Sequence, residues 1–569
     1  MARLGCKATT IRRDFARVIL CTVVALCSVC TSAKEKTIYV ITDIHVMDPS
    51  LIVKEGSALT NYLANDRKML SQSIEAFEAA IDSAIIHQAD VLLICGDLTK
   101  DGEKIGHERV SRTLERVLQA GVKTFVIPGN HDIRNPYAKY LDGDVTRPAE
   151  WVTAEEFADI YSHFGYDDPS LRDPHSLSYV CEPIPGLSLL AIDASQYEKN
   201  TSTAHGDARN ESVVGGAIKP ATLAWLLTQA DEARRKGNHV IAMMHQELIE
   251  HFDGLSEIDQ TSVIENGEAI AQQLMEHGVR VVFTGHTHYT DAATAWNESR
   301  TAAITDITTG STIAYPSHYR VASVSNDCSR LTVDTYCITR LPSIPDYTLF
   351  GRQYFENGTQ SITRVLTRTY WHIIEPAMKK YFKEINLGIT SITFRLPNTP
   401  DEFADLVYKH LATFLKSAWL TLQAGNEHDQ DAYDRLYKAM RKGVYSMLGE
   451  VIEKDVYVLG KPIARREIRD NIMEIATPYL KSIFEDLNNV GTENECHTDD
   501  LHLNIDLSSG RLLTDVEVAL DIPTPMAETS GFQVFSLQGR LVSSRPETVL
   551  PAGCYIVRSN NQTKKILVK

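Results

Sequence analysis

VIPGNHD, residues 126–132, begins as an apolar strand and ends on an amide, an imidazole and a carboxylate in succession. Val126 and Ile127 read as buried strand, Pro128-Gly129 stops it, and Asn130, His131 and Asp132 follow. The arrangement recurs along the chain. TIYVIT (37–42) runs into Asp43-Ile44-His45, and VLLIC (91–95) runs into Gly96-Asp97. HVIAMM (239–244) runs into His245, and VRVVFT (279–284) runs into Gly285-His286-Thr287-His288. LSLLAID (187–193) is a sixth strand-like run. Amphipathic stretches at 68–88, 103–120, 220–237 and 265–277 lie between these runs. Such alternation is α/β layering. Parallel α/β sheets gather function at the carboxyl ends of their strands. Five strand ends therefore deliver imidazole, carboxylate or amide to one crevice, with Gly96 and Gly285 suited to tight turns beside it.

These residue types are metal ligands. Carboxylate and imidazole without thiolate suit Mn, Fe, Zn or Co. Asp43, His45, Asp97, Asn130, His245, His286 and His288 suffice for two divalent ions about 3.5–4 Å apart that share one carboxylate. Two such ions carry +4; two aspartates and a bridging hydroxide leave about +1, enough to draw in a phosphate. The hydroxide is then placed to attack phosphorus in line while the metals hold the developing charge. Asn130 ligates without cancelling charge. A local positive site is needed because the chain as a whole is acidic, with a net charge of −17. That charge is no scaffold for nucleic acid or an anionic membrane.

Asp43-x-His45, Gly96-Asp97, Gly129-Asn130-His131-Asp132, His245 and Gly285-His286-x-His288 together resemble the signature of the calcineurin-like metallophosphoesterases, over residues 37–320. The resemblance implies a four-layer αββα sandwich. It assigns Asp43, His45 and His288 to one metal and Asn130, His245 and His286 to the other, with Asp97 bridging. It places His131 near the leaving-group oxygen as its proton donor, with Asp132 orienting the imidazole. Ser/Thr phosphatase-like members read GDYVDRG and GNHE; here the loops are GDLTKDG (96–102) and GNHD, and Asp101 stands where an arginine would bind phosphate. Purple acid phosphatases carry tyrosine where this chain has Lys100. The loops are more similar to those of bacterial phosphodiesterases, so a diester of a small molecule or lipid is the expected substrate. A phosphomonoesterase or nucleotidase is the enzymatic alternative, and a surface-binding protein with a vestigial metal site is the other. Arg134, Asn135, Tyr137 and His175, in the long segment after the GNHD motif, are candidate substrate contacts.

The remaining segments divide the chain. Residues 1–33 combine Arg3, Lys7, Arg12, Arg13 and Arg17 with the apolar run 18–30 and small residues after it, as in a secretory signal. Their removal takes away five basic residues and one acid, so −17 becomes −21. The phosphoesterase domain is expected over 34–345 and a helical domain over 346–500, with a polar linker across 491–510. A small β domain follows at 511–569. It resembles the sorting domain of type IX secretion substrates through Gly539-Arg540-Leu541-Val542, Leu550 to Val557 and the closing Lys565 to Lys569. Leader and sorting domain together imply passage through export machinery to the surface or medium, with the periplasm as alternative. Six cysteines outside the leader are too few for a disulfide scaffold; Cys328 and Cys337 either pair or stay as thiols.

Overall fold

The computed structural model describes residues 35–568, apart from 65–67, 252–254 and breaks between 382 and 561, of which 487–494, 519–532 and 544–552 are the longest. The leader at 1–33 lies outside the described residues, as do Gly539, Arg540, Leu550 to Ala552 and Lys569 of the sorting motif.

The strands are β1 (Lys36–Ile41), β2 (Val91–Cys95), β3 (Lys123–Ile127), β4 (Tyr179–Ile184), β5 (Leu187–Ala191), β6 (His239–Met243) and β7 (Val279–Thr284). They continue with β8 (Asp291–Trp296), β9 (Ala303–Thr308), β10 (His318–Val324), β11 (Arg330–Cys337), β12 (Glu495–Cys496) and β13 (His502–Asp506). One sheet has the order β13-β11-β10-β1-β2-β3, the other β12-β8-β9-β7-β6-β5-β4. The centres are parallel: β1 with β2, β2 with β3, β5 with β6, and β7 with both β6 and β9. All five strands that lead into ligand-type residues belong to these parallel centres. Their carboxyl ends therefore lie along one edge of the two sheets.

Period-two alternation shows how the layers stack. Leu189, Ile241, Met243, Val281, Phe283 and Ile307 point into a core shared with β1, β2 and the first sheet. Their neighbours Leu190, Val240, Ala242 and Val282 point the other way, onto the helices α4 (Pro220–Arg235) and α5 (Gly267–Glu276), through Leu226, Ala230, Ile270 and Leu274. Helices α1 (Ser73–Ile86) and α2 (Lys104–Gln119) cover the first sheet, with Phe77, Ile81, Val110 and Leu114 fully buried. At about 25 cal/mol per Å² of apolar surface, each such side chain contributes roughly 1.5–3 kcal/mol. The result is the four-layer sandwich expected. A short helix, α3 (Ala154–Ile160), starts at a capping box formed by Thr153 and Glu156.

Beyond β11 come four long helices: α6 (Tyr347–Tyr381), α7 (Pro400–Ala424), α8 (Gln430–Val451) and α9 (Arg465–Asp486). Their apolar stripes face one another, with Leu448, Ile452, Ile468 and Met473 in one cluster and Leu436 and Met440 in another. No helix among the described residues is long and apolar enough to cross a membrane. The C-terminal residues form a separate four-stranded antiparallel sheet from 533–536, 541–543, 553–559 and 562–568.

Within the segment expected to be a linker, 491–510, the described residues 495–496 and 500–510 are structured and join the sandwich. Strand β13 pairs antiparallel with β11, and β12 pairs with β8. After β13, the carbonyls of Leu507 and Ser509 accept hydrogen bonds from the His239 ring at 3.0 Å and the Ala303 amide at 2.7 Å. One short segment thus grips the edges of both sheets, and the helices are an insertion within the fold. Cys328 and Cys337 are free thiols.

Candidate metal centre

The strand ends converge through strained backbone. Among the described residues eleven non-glycine residues have positive φ, and five of them are Asp43, His45, Asp97, His286 and His288. Each such residue costs on the order of 1–2 kcal/mol, an expense found where surrounding structure serves a site. Loop backbone is pinned by extended pairing: Asp43 and His45 donate to the carbonyls of Gly96 and Asp97, and Gly285 donates to that of His245. Gly96 has φ +88°, and a Cβ on Gly285 would sit 2.5 Å from Asp43 Oδ2, so both turns need glycine.

Three overlapping groups result among the described residues, and the Asp97 carboxylate belongs to two of them, one of which joins it to His45 and His131. Asp43, His45 and His288 converge, with His288 Nε2 3.1 Å from Asp43 Oδ1 and 3.2 Å from His45 Nε2. Asp97, His245 and His286 form the second group, which Asn130 joins with its Oδ1 3.1 Å from His245 Nε2. Asp97 Oδ2 lies 3.3 Å from His245 Nε2 and 3.6 Å from His45 Nε2. Its other oxygen accepts the His131 amide at 2.9 Å.

The donor set fits divalent cations. Asp43 Oδ1 is buried without a hydrogen-bond partner, whereas Oδ2 accepts from Thr42 Oγ and the His286 amide. His245 uses Nδ1 on the Cys95 carbonyl at 2.8 Å, and His286 uses Nε2 on the Thr261 carbonyl at 3.1 Å. With those nitrogens donating, the remaining one on each ring faces inward, where a cation would take its lone pair. Burial holds His45 down to about 3 and His286 to about 4, so both are neutral. His245 is pushed up to about 9: burial opposes its charge, but Asp97 outweighs burial. A proton there answers the same excess of negative charge that metal ions would answer. Ser311, buried, donates to the Asp43 carbonyl at 2.6 Å and so supports the first turn.

The carboxylate beside the His131 ring is Asp101, which corrects the role expected for Asp132. His131 Nδ1 is 3.0 Å from Asp101 Oδ1. Asp101 Oδ2 accepts in turn from the buried Lys100 at 2.6 Å and from Tyr62 at 2.7 Å, and Lys100 also meets Glu103 at 2.7 Å. Burial opposes the charge of Asp101, yet Lys100 and His131 hold it far below the usual carboxylate range. Asp132 is turned away. It accepts from the amides of Leu98, Thr99 and Gly129 at 2.8–3.0 Å, and from Thr99 Oγ, and so ties the GNHD turn to the GDLT turn. The role of Asp132 is structural, and Asp132→Ala is expected to leave three buried amides without an acceptor. The loss should be about 3 kcal/mol or more, read as a fall in Tm.

The candidate substrate residues separate. Asn135 is 2% exposed and spent on the chain itself, donating to the His131 carbonyl and accepting the Tyr137 amide. Its substrate role is thereby replaced by a turn-forming one. Tyr137 is exposed, under the Lys139 ammonium. Arg134 and His175 share the lining of one cavity. His205 packs on the Trp151 ring. Sequence reading missed two groups. Lys68, 8% exposed, opposes protonation of both His45 and His131. Glu247, fully buried, accepts from Thr287 and Tyr289 and so braces the loop of His286 and His288; its signal was an acid two residues after His245.

Residues 36–290 match the family described as calcineurin-like phosphoesterase. That region is calcineurin-like. The calcineurin-like region is 24% identical over 250 residues to a probable cyclic nucleotide phosphodiesterase of Synechococcus sp. (strain WH7803), covering 43% of this chain and 73% of the relative. Among solved structures, a dimetal phosphatase from Danio rerio aligns at 15% identity over 53% of this chain and 96% of its own, with a TM-score of 0.37. The yellow lupin purple acid phosphatase aligns at 10% identity over 55% of this chain and 52% of its own, with a TM-score of 0.34. The calcineurin-like family is one of metal-dependent phosphoester hydrolases, and the buried His/Asp clusters are consistent with its dimetal site.

Proposed function

We propose that the protein is a dinuclear phosphodiesterase. The observation that carries this reading is Asp97 Oδ2, buried between two sets of inward-facing imidazoles. Asp43, His45 and His288 would hold one ion, Asn130, His245 and His286 the second, and Asp97 both. Bound there, the ions supply Lewis acidity and an activated water. The protein's own residues do the rest. His131 stands beside Asp97 with its Nε2 free of Asp101 and 4.0 Å from Asp97 Oδ2, so it can deliver a proton to the departing oxygen. Burial and Lys68 disfavour its charge, but Asp97 and Asp101 outweigh them and raise its pKa. Ions on Asp97 would neutralise part of that support, leaving Asp101 as the carboxylate that keeps His131 cationic.

Charge favours a diester. A monoester dianion calls for more positive partners than this site offers: Asp101 occupies the place of a phosphate-binding arginine, and Lys68 is the cation near His45 and His131. A diester monoanion matches a site of about +1. The Synechococcus relative's description agrees with this. With Mn added, the full chain is expected to hydrolyse bis-p-nitrophenyl phosphate with a kcat/KM at least about ten-fold above that for the monoester. Preference for the monoester would overturn the reading in favour of a phosphatase. The basic-apolar leader and the C-terminal sheet support export to the surface or medium, testable by cell fractionation.

A further inference from the structure

His131 stands on the open side of the metal centre. Its side chain is 27% exposed, whereas those of Asp43, His45 and Asp97 are buried. The His131 and His45 rings meet edge to face, with centroids 4.9 Å apart. Lys68 acts on this same pair of rings: it is buried, and its charge opposes protonation of both. The backbone beside Lys68 is fixed to the centre by a short chain of hydrogen bonds. The Met69 amide donates to the Ile313 carbonyl at 2.7 Å, the Ile313 amide to Ser311 Oγ at 3.2 Å, and Ser311 Oγ to the Asp43 carbonyl at 2.6 Å. Helix α6 presses on the same segment. Met69 is buried, and a Cβ on Gly351 would lie 3.2 Å from its Cε. Tyr354 of that helix donates to the Leu63 carbonyl at 3.2 Å.

A buried ammonium is costly and is ordinarily offset by carboxylates. Lys100 is the ordinary case, fully buried and 2.6 Å and 2.7 Å from Asp101 and Glu103. Lys68 instead stands by imidazoles that would hold or face cations. With two ions on Asp43, Asp97 and their partners, the centre would carry about +1, so Lys68 would face positive charge. An anion between the ammonium and the ions relieves that repulsion.

An ammonium is a compact point charge with three donors, and it suits a phosphoryl oxygen without demanding the paired geometry of a guanidinium. The place an arginine would take is closed by Asp101, so the anion's protein partner has to come from another loop. We propose that Lys68 is a further catalytic residue, whose ammonium binds a non-bridging oxygen of the phosphoryl group and stabilises its charge in the transition state. The assignment rests on phosphoester hydrolysis at this centre, and it gives helix α6 a part in holding the residue that meets the substrate.

Lys68→Met keeps the apolar stem and removes the charge. Metal analysis, calorimetric titration with inorganic phosphate and bis-p-nitrophenyl phosphate turnover, all on the full chain with Mn added, read its effects apart. Two ions per chain are expected to be kept, because the lost charge repelled them. Phosphate is expected to bind about ten-fold more weakly, and kcat/KM to fall about 10²-fold. Lys68→Arg, which restores a cation, should recover most of the phosphate affinity. Lys68→Gln decides if Lys68→Met does not fold. A merely structural lysine predicts that metal and phosphate weaken together. That pattern, equal phosphate affinity in the neutral variants, or no phosphate binding by the unaltered chain at millimolar concentration overturns the proposal. Phosphate binding needs no turnover, so the failures are distinguishable. Weaker phosphate binding in Lys68→Met, with no diester hydrolysis even by the unaltered chain, supports the role of Lys68 and removes the phosphodiesterase reading; diester hydrolysis with unchanged phosphate affinity removes Lys68 alone.

Discussion

Asp97→Asn is expected to bind fewer than two metal ions per chain and to lose bis-p-nitrophenyl phosphate hydrolysis by about 10³-fold or more. The loss corresponds to about 4 kcal/mol, the scale of charge stabilisation a metal pair supplies. The substitution is close to isosteric. An amide oxygen in the place of Oδ1 still accepts the His131 amide, so the turn is kept. The altered atom is Oδ2, which faces His45 and His245. A neutral group there cannot be shared by two cations as a carboxylate can. Metal analysis and the thermal melt read the two effects apart: metal content should fall while the melt of the metal-free chain changes little. Two ions per chain and near-normal turnover in this variant would sink the dinuclear assignment.

His131→Ala is expected to act on rate and not on metal content. General acid assistance contributes about 10²–10⁴-fold, and that is the predicted fall in kcat, with both ions retained. Asp101→Asn should reproduce a part of it, about 10–10²-fold, because it removes the partner of His131 Nδ1. Asp101 also sits in a buried set with Lys100 and Tyr62, so some stability is lost too. A substrate with a good leaving group separates the effects. If His131 protonates the departing oxygen, the deficit of His131→Ala should shrink for p-nitrophenolate and be large for an alkoxide. A deficit independent of the leaving group would instead make His131 a ligand or a structural residue. The geometry keeps that contrast sharp, since His131 also groups with His45 and Asp97.

The contrast between Asp101 and Asp132 marks where sequence reading stops. The ligand-type residues were legible because each stands at the end of an apolar run, and parallel strands bring such ends together whatever the loop details. Which acid meets the His131 ring depends instead on side-chain directions in two tight turns. Asp132 is adjacent to His131 in sequence but points to the amides of Leu98, Thr99 and Gly129. Asp101 lies thirty residues away and arrives through the strained turn at Asp97. Strands near the sheet margins were illegible for another reason. DAATAW in β8 and HLNID in β13 carry little β-branched or aromatic character, and their place is set by the neighbours β9 and β11.

The grip of residues 502–509 on both sheets bears on how the chain folds as it is made. β11 is synthesised well before its partner β13, with residues 338–501 between them. At ordinary translation rates that interval is on the order of ten seconds or more. For that time the β11 edge offers unpaired amides and carbonyls to any passing strand. Val333 and Leu331 on it are buried only in the finished fold. Completion of the phosphoesterase core therefore waits on the helices, and the helices act as a delay built into its assembly.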